Sequence, residues 1–228
     1  MPRRIIAFVV LAAVLAAVFV RLGFWQLDRR VERRTANAAI EARFSLPEAP
    51  IDVVTRDSTP SYRRAAVRGT PDTANEFWIA GRSRNGSPGV HLMTPMRLRG
   101  ADTAVLVNRG WVYAPDAATA DLPTWRERRD EYRGFVMDVP SASAEPHIKG
   151  RALRPLSIEG VRRMLPYPVL PVYVVAQDSA PNAPARLPTP ALDEGPHLNY
   201  AIQWFCFAAI AVGGAAIVTF RAREGSRL

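Results

Sequence analysis

The side chains best suited to chemistry sit in two short stretches far apart in the chain. One holds Trp25, Gln26, Arg29 and Arg30; the other holds His197, Tyr200, Gln203 and Trp204. Together they supply an imidazole, two indoles, a phenol, two carboxamides and a pair of guanidiniums. That set suits a large, flat, amphipathic ligand with an anionic edge: an imidazole can ligate haem iron, aromatic rings can pack on a macrocycle and arginines can pair with propionates. Each residue has a plain structural reading as well. Trp25 and Trp204 can anchor an aromatic belt, Gln26 and Gln203 can bond across a helix pair, His197 can satisfy local backbone or headgroup partners, and Arg29 and Arg30 can meet lipid headgroups.

The elements that must hold these stretches are two apolar runs. Ile5 to Val20 carries no charge, and apolar character resumes after Arg21 to close on Phe24-Trp25. A basic start and an apolar middle also describe a signal peptide; the resumption and the aromatic closure favour an uncleaved anchor over residues 5–27. Helix formers without glycine or proline continue from Asp28 to about Phe44, so the helix is expected to leave the membrane intact until Pro47 and Pro50. From Leu198 to Phe220 no residue is charged, and at 1.5 Å per residue this run crosses a hydrocarbon core of about 30 Å. The second span is expected over 197–220. On a helix, His197, Tyr200, Ala201, Trp204, Ala208, Ala211 and Ala215 share one stripe, polar at its head and small below, which is a packing and binding face.

Two spans place both termini on one side, with tails 1–4 and 221–228. Arg3, Arg4, Arg221, Arg223 and Arg227 favour the cytoplasm, and Arg29, Arg30, Arg33 and Arg34 oppose it, interleaved with Asp28 and Glu32. The central residues, 45–190, are then expected in the periplasm. Only four residues precede the first span, which leaves no room for a mitochondrial transit peptide and points to a bacterial inner membrane. Arginine and alanine usage agrees with a GC-rich bacterial genome.

The 228 residues carry 30 basic and 21 acidic side chains, a formal charge of +9, with Lys149 the single lysine. The arginines are scattered and no nucleic-acid motif accompanies them; membrane-flanking clusters account for the charge. Cys206 is the single cysteine, which excludes an internal disulfide and any CxxC site.

Between the spans, Tyr62 to Gly69, Phe77 to Ala80, Val90 to Met96, Thr103 to Val107, Phe135 to Val139, Ile148 to Leu153 and Val169 to Gln177 read as strands. Asn85-Gly86 and Gly100-Ala101-Asp102 mark turns between them. Thr124 to Arg133 reads as a short charged helix. Pro181, Pro184, Pro188 and Pro190 make a stiff connection back to the membrane. The expected fold is a membrane protein in which two transmembrane helices flank a mostly antiparallel, small barrel-like α+β domain.

No GxSxG, GxxxxGK[ST] or HExxH motif is present, and His91, His147 and His197 lack a metal-ligand spacing. An ordinary enzyme is therefore not expected. Asn108, Arg109, Gly110 and Trp111, at the end of the clearest buried strand, offer a recognition patch for a partner; alternatively Asn108 and Gly110 shape a turn while Trp111 fills the barrel end.

With these residues in view, the chain resembles the Surfeit locus protein 1 family. The resemblance rests on Gly23-x-Trp25-Gln26-x-x-Arg29, Tyr62-Arg63-Arg64 leading to Gly69, Gly89 through Thr94-Pro95, Val107-Asn108-Arg109-Gly110-Trp111-Val112, and His197-Leu198-x-Tyr200-Ala201-x-Gln203-Trp204-Phe205. It implies an assembly factor, not an enzyme, that matures haem-copper cytochrome c oxidase by binding or presenting haem A to newly made subunit I. An alternative within the same role is a haem-free scaffold that clamps subunit I. Haem A synthase is a further implied partner. The resemblance makes His197 the haem ligand, assigns Trp25, Gln26, Arg29, Tyr200, Gln203 and Trp204 to the membrane-edge motifs, and assigns Arg109, Gly110 and Trp111 to a domain motif. The chain departs from the family where Gly195-Pro196 replaces the usual asparagine before the histidine. It departs again at Arg154 to Pro171, which is shorter than the usual tryptophan-containing stretch.

Overall fold

The computed structural model describes residues 2–127, 129–141 and 144–224. They fall into two compact units, one of residues 42–190 and one that joins the chain up to 41 with the chain from 191 onward. The first element is a single helix, α1 (Arg3–Phe44). At 1.5 Å per residue it is about 63 Å long, roughly twice a hydrocarbon core. Its apolar first half alone suffices to cross a bilayer, and its charged second half, from Asp28, extends beyond that length.

The middle unit contains β1 (Ala49–Pro50), a helical turn α2 (Ile51–Val54), β2 (Arg64–Pro71), β3 (Phe77–Arg84), β4 (Ser87–Leu98) and β5 (Ala104–Tyr113). It continues with β6 (Glu131–Asp138), β7 (His147–Lys149), β8 (Ala152–Arg154), α3 (Ile158–Met164) and β9 (Val169–Ala176). The strands order as β1-β2-β6-β9-β5-β4-β3-β8-β7, and β2 also pairs with β4. That extra pairing closes β2, β6, β9, β5 and β4 into a small barrel, from which β3, β8 and β7 extend as a wing. Pairing is mostly antiparallel; β5 with β9, β3 with β8 and β1 with β2 are parallel.

Alternation along the strands builds two cores back to back. Val105 and Val107 of β5 point into the barrel with Val67, Met96, Tyr132, Val136 and Val174. Leu106, between them, points outward and packs with Ile79, Leu153, Ile158 and Val161 under α3. A strand covered on both faces loses its alternating polarity, which is why Ala104 to Val107 reads as a continuous apolar run. On the wing, Trp78, Val90, Leu92 and Val112 form a third cluster.

Several local expectations are corrected. Thr124 to Arg133 is not a helix: a 3-10 turn covers Pro123–Trp125 and β6 starts at Glu131, while Arg128 lies outside the described residues. Tyr132, Phe135 and Val136 are buried in the barrel strand, and burial of these side chains overrides the helical propensity of the charged residues before them. Ile148 to Leu153 is not one strand; it turns at Gly150 to make the β7–β8 hairpin. The helix α3 was not anticipated. Ser157 caps it, accepting from Gly160 N at 3.1 Å.

On the sheet's outer face, His91 of β4 is pushed down to about 4, first by burial and then by Arg82. A histidine held neutral in the fold but titrating near 6.5 when unfolded contributes stability that is complete above about pH 6.5 and lost as pH falls toward 4. His91→Gln is therefore expected to flatten the stability curve between about pH 6.5 and 4 by up to about 1.4 kcal/mol per pH unit. Urea midpoints of both proteins across that range measure it, and parallel curves would contradict it.

The last element is α4 (His197–Glu224). Like α1, it is long and apolar enough to cross a membrane. The two helices meet through small residues, Ala12, Ala16 and Gly23 on α1 and Ala201 and Ala208 on α4, all buried. Small residues at the crossing let backbones approach closely. Around it, Phe24 packs edge-on to Phe205 at 5.4 Å and Phe19 stacks on Trp204 at 5.7 Å.

Candidate cofactor site at the helix pair

Gly23 is the point at which α1 makes room. The Phe205 ring occupies the space a β-carbon would take there, so the helices come close enough for polar groups one turn further along to touch. Gln26 Oε1 lies 2.8 Å from His197 Nδ1. A carboxamide oxygen only accepts, so Nδ1 is the donor in this contact and Nε2 is the ring nitrogen left available to a ligand. This arrangement, one ring nitrogen bonded behind and the other presented outward, is how proteins orient a histidine toward a metal.

The segment before α4 is tied to α1 by its own contacts. Glu194 accepts from Arg30 Nε at 2.7 Å and from Arg34. These bonds, with Arg34's the larger influence, hold the Glu194 carboxyl below its ordinary value. Asn37 donates to Asp193 O at 2.8 Å, and Asp193 Oδ1 accepts from Gly195 N at 3.0 Å. The link thus reaches His197 already fixed to the helix that carries Gln26.

The eight membrane-edge residues do not converge on one point. His197 and Gln26 are brought together. Trp204 stacks on Phe19 in the helix seam. Trp25 and Tyr200 are exposed at 47% and 46%, Gln203 is exposed as well, and Trp25 with Arg21 and Leu22 lines a shallow hollow on α1. Arg29 is paired with Glu32 and Arg30 with Glu194, so both guanidiniums already have carboxylate partners. Glu194 was missed from the sequence; its signal is the acidic pair Asp193-Glu194 just before the histidine, opposite an arginine-rich helix.

In the barrel unit, Arg109 is 1% exposed and Asn108 3%. Asn108 Oδ1 accepts from Gly110 N at 3.1 Å, bracing a bulge inside β5 and not the turn the sequence suggested. Arg109 occupies a bulge, donates to Trp125 O at 2.8 Å, and lies 3.5 Å from Glu76 and 3.9 Å from Glu127. Glu127, fully buried, also takes a two-pronged bond from Arg186 at 2.6 and 3.0 Å. Beside them Tyr132 is pushed up to about 12, by burial first and Glu127 second. Asn108 and Arg109 are interior groups, and of the four residues Trp111 reaches furthest toward the surface. Glu76, Glu127 and Arg186 are the parts of this network that sequence patterns did not single out.

Among the described residues no cluster of three histidine, cysteine or acidic side chains could hold a free metal ion. The class that emerges is a membrane protein whose two apolar helices flank a small, mostly antiparallel barrel, with a pre-oriented histidine at the head of the second helix. Comparison with known proteins agrees. The SURF1 family description matches residues 13–209, and the chain belongs to that family. It is 26% identical to a SURF1-like protein of Rickettsia felis over 84% of this chain and 87% of the relative. It is 27% identical to one of Monosiga brevicollis over 90% and 84%, and 25% identical to an uncharacterized SURF1-like protein of Mycobacterium bovis over 90% and 80%. The SURF1 family is one of cytochrome c oxidase assembly factors.

Proposed function

We propose that this protein carries haem A for the maturation of oxidase subunit I, holding it through His197 at the helix pair. The observation that carries the reading is the 2.8 Å bond from His197 Nδ1 to Gln26 Oε1, which leaves Nε2 free for an iron atom. Haem A is cargo in this scheme. The exposed rings of Trp25 and Tyr200 and the carboxamide of Gln203 surround the helix head and can cover a macrocycle, and Trp204 backs the seam. The proposed setting is a bacterial inner membrane with both termini cytoplasmic and the barrel periplasmic. Arg3, Arg4, Arg221 and Arg223 support that orientation, and the pairing of Arg29 with Glu32 and of Arg30 and Arg34 with Glu194 weakens the opposing cluster.

One observation favours a second reading. Because Arg29 and Arg30 already have carboxylate partners, a propionate must displace one, and a haem-free clamp on subunit I through the same exposed aromatics avoids that exchange. Haem content separates the two. Protein purified from cells that make haem A is expected to carry haem with a histidine-ligated spectrum, and His197→Ala to lose both. Gln26→Leu is expected to keep the ligand but weaken retention by about tenfold or more, as removal of an outer-shell partner does. Haem-free wild type, or His197→Ala with equal content and an unchanged spectrum, would leave the clamp.

A further inference from the structure

On the barrel's wing, a groove of about 580 Å³ runs between the β7–β8 hairpin and the loop at 116–119. Its floor is apolar: the ring of Trp78, 8% exposed, lies against Ala152 at 9% and Leu153 at 0%. The Trp78 indole N–H donates to Ala118 O, which fixes the ring in place. Its rim is cationic. Lys149, Arg151 and Arg154 line it, with the imidazole of His147 beside them, and all four are exposed.

These cations differ from most others in the unit. Arg63, Arg68, Arg99 and Arg163 each meet a carboxylate, on Asp57, Glu131, Asp130 and Glu145. Among the described residues, none of the four rim groups is in an ion pair. Arg151 gives one N–H to Glu76 O at 2.9 Å, and Arg154 lies over Gly81. The one acid in the lining, Asp116, is saturated locally: it accepts from Ala118 N at 2.9 Å, Thr119 N at 3.0 Å and Thr119 Oγ1 at 2.8 Å. Glu145, two residues before β7, is the acid already engaged by Arg163. Among the described residues the rim's cations therefore outnumber its acids, and none of them is paired with a carboxylate.

We infer that this groove receives an extended acidic segment of a partner protein, with one apolar side chain seated on Trp78 and flanking carboxylates on Lys149, Arg154 and their neighbours. Three observations select that occupant. Unpaired cations on the rim complement anions. The indole lies at the bottom of a concavity, which a single side chain can reach and a flat bilayer surface cannot. The strand β7 ends the sheet order, so among the described residues its outer edge has no strand partner and an extended chain can lie along it. The groove's volume is in the range that seats a few side chains.

The full chain in phosphatidylcholine nanodiscs, with three fluorescein-labelled pentapeptides as probes, tests this by fluorescence polarisation. Each probe has a central leucine, flanked by glutamates, glutamines or lysines. The glutamate probe is expected to bind at least about tenfold tighter than the glutamine probe and to weaken with added salt, with no binding of the lysine probe. Lys149→Glu with Arg154→Glu is expected to remove most of that binding at an unchanged melting temperature, and Lys149→Glu alone, at an exposed position, to remove part. Failure of the glutamate probe to bind, equal binding of the three probes, or undiminished binding by the substituted chain overturns the inference. So does capture of phosphatidylglycerol vesicles that these substitutions abolish while peptide binding persists, which assigns the rim to a lipid surface.

Discussion

Replacing Glu127 by alanine is expected to lower the melting temperature of the full chain in detergent by about 10 °C, the largest effect of any single side-chain removal in the barrel unit. Glu127 has no exposed side-chain surface and faces three guanidiniums, Arg109, Arg129 and Arg186. The cations do not suffer equally. Arg129 and Arg186 retain 22% and 15% of their side-chain exposure and can turn toward water, whereas Arg109, at 2%, cannot. Its remaining carboxylate is Glu76 at 3.5 Å, which also accepts from Thr94 at 2.6 Å. Stranding a buried charge costs about 3–5 kcal/mol, and in a domain of this size each kcal/mol moves the midpoint by about 2–4 °C. If the stranded Arg109 is the cause, Arg109→Met with Glu127→Ala loses less than the sum of the two single losses. Additive losses in near-UV circular dichroism melts would show that the pair is not coupled.

The second large effect is expected from Gly69→Val. Gly69 sits on β2 where it pairs with Leu98 of β4, the contact that closes the barrel. A β-carbon there would fall on the Arg97 carbonyl oxygen, with the Arg97 carbonyl carbon at 3.1 Å. Backbone cannot rotate aside as a side chain can, so the seam must part or the ladder must shift. A loss of about 3 kcal/mol or more is expected. Amide exchange locates the damage: residues 69–71 and 96–98 are expected to lose protection before those of the β5–β9 ladder. A uniform loss across the barrel, or none, would place the strain elsewhere.

How much of this was legible from sequence depends on which physical signal each feature carries. The two spans were legible because length and lack of charge suffice to define a membrane helix, and the barrel strands because β-branched runs alternate between turns. The β6 entry was misread because Arg126, Glu127, Arg129 and Asp130 look like a solvated helix; nothing local reveals that Glu127 turns inward to meet Arg109 and Arg186, which lies 59 residues further on. The helix α3 was missed because its buried face is only Ile158, Gly160 and Val161, too short for a period to emerge. At the helix pair, residue types picked out His197 and Gln26, but their contact spans 171 residues and carries no local signal. In the fold Arg30 pairs with Glu194 and Trp25 faces outward, distinctions that composition at a membrane edge does not encode.

The parallel pairing of β5 with β9 also constrains the order in which the domain can form. The meander β3–β4–β5 is local and can assemble as soon as it is synthesised, within the microseconds to milliseconds that short contacts allow. The barrel cannot: Val107 of β5 pairs with Val174, and Gly134 of β6 with Ala176. Until the ribosome has passed residue 176, the apolar interior faces of β2, β5 and β6 have no lid, and only about twenty residues then separate β9 from the next hydrophobic run. The growing chain therefore holds an open, adhesive sheet until β9 has emerged, and the last strand to emerge is the one that ends that exposure.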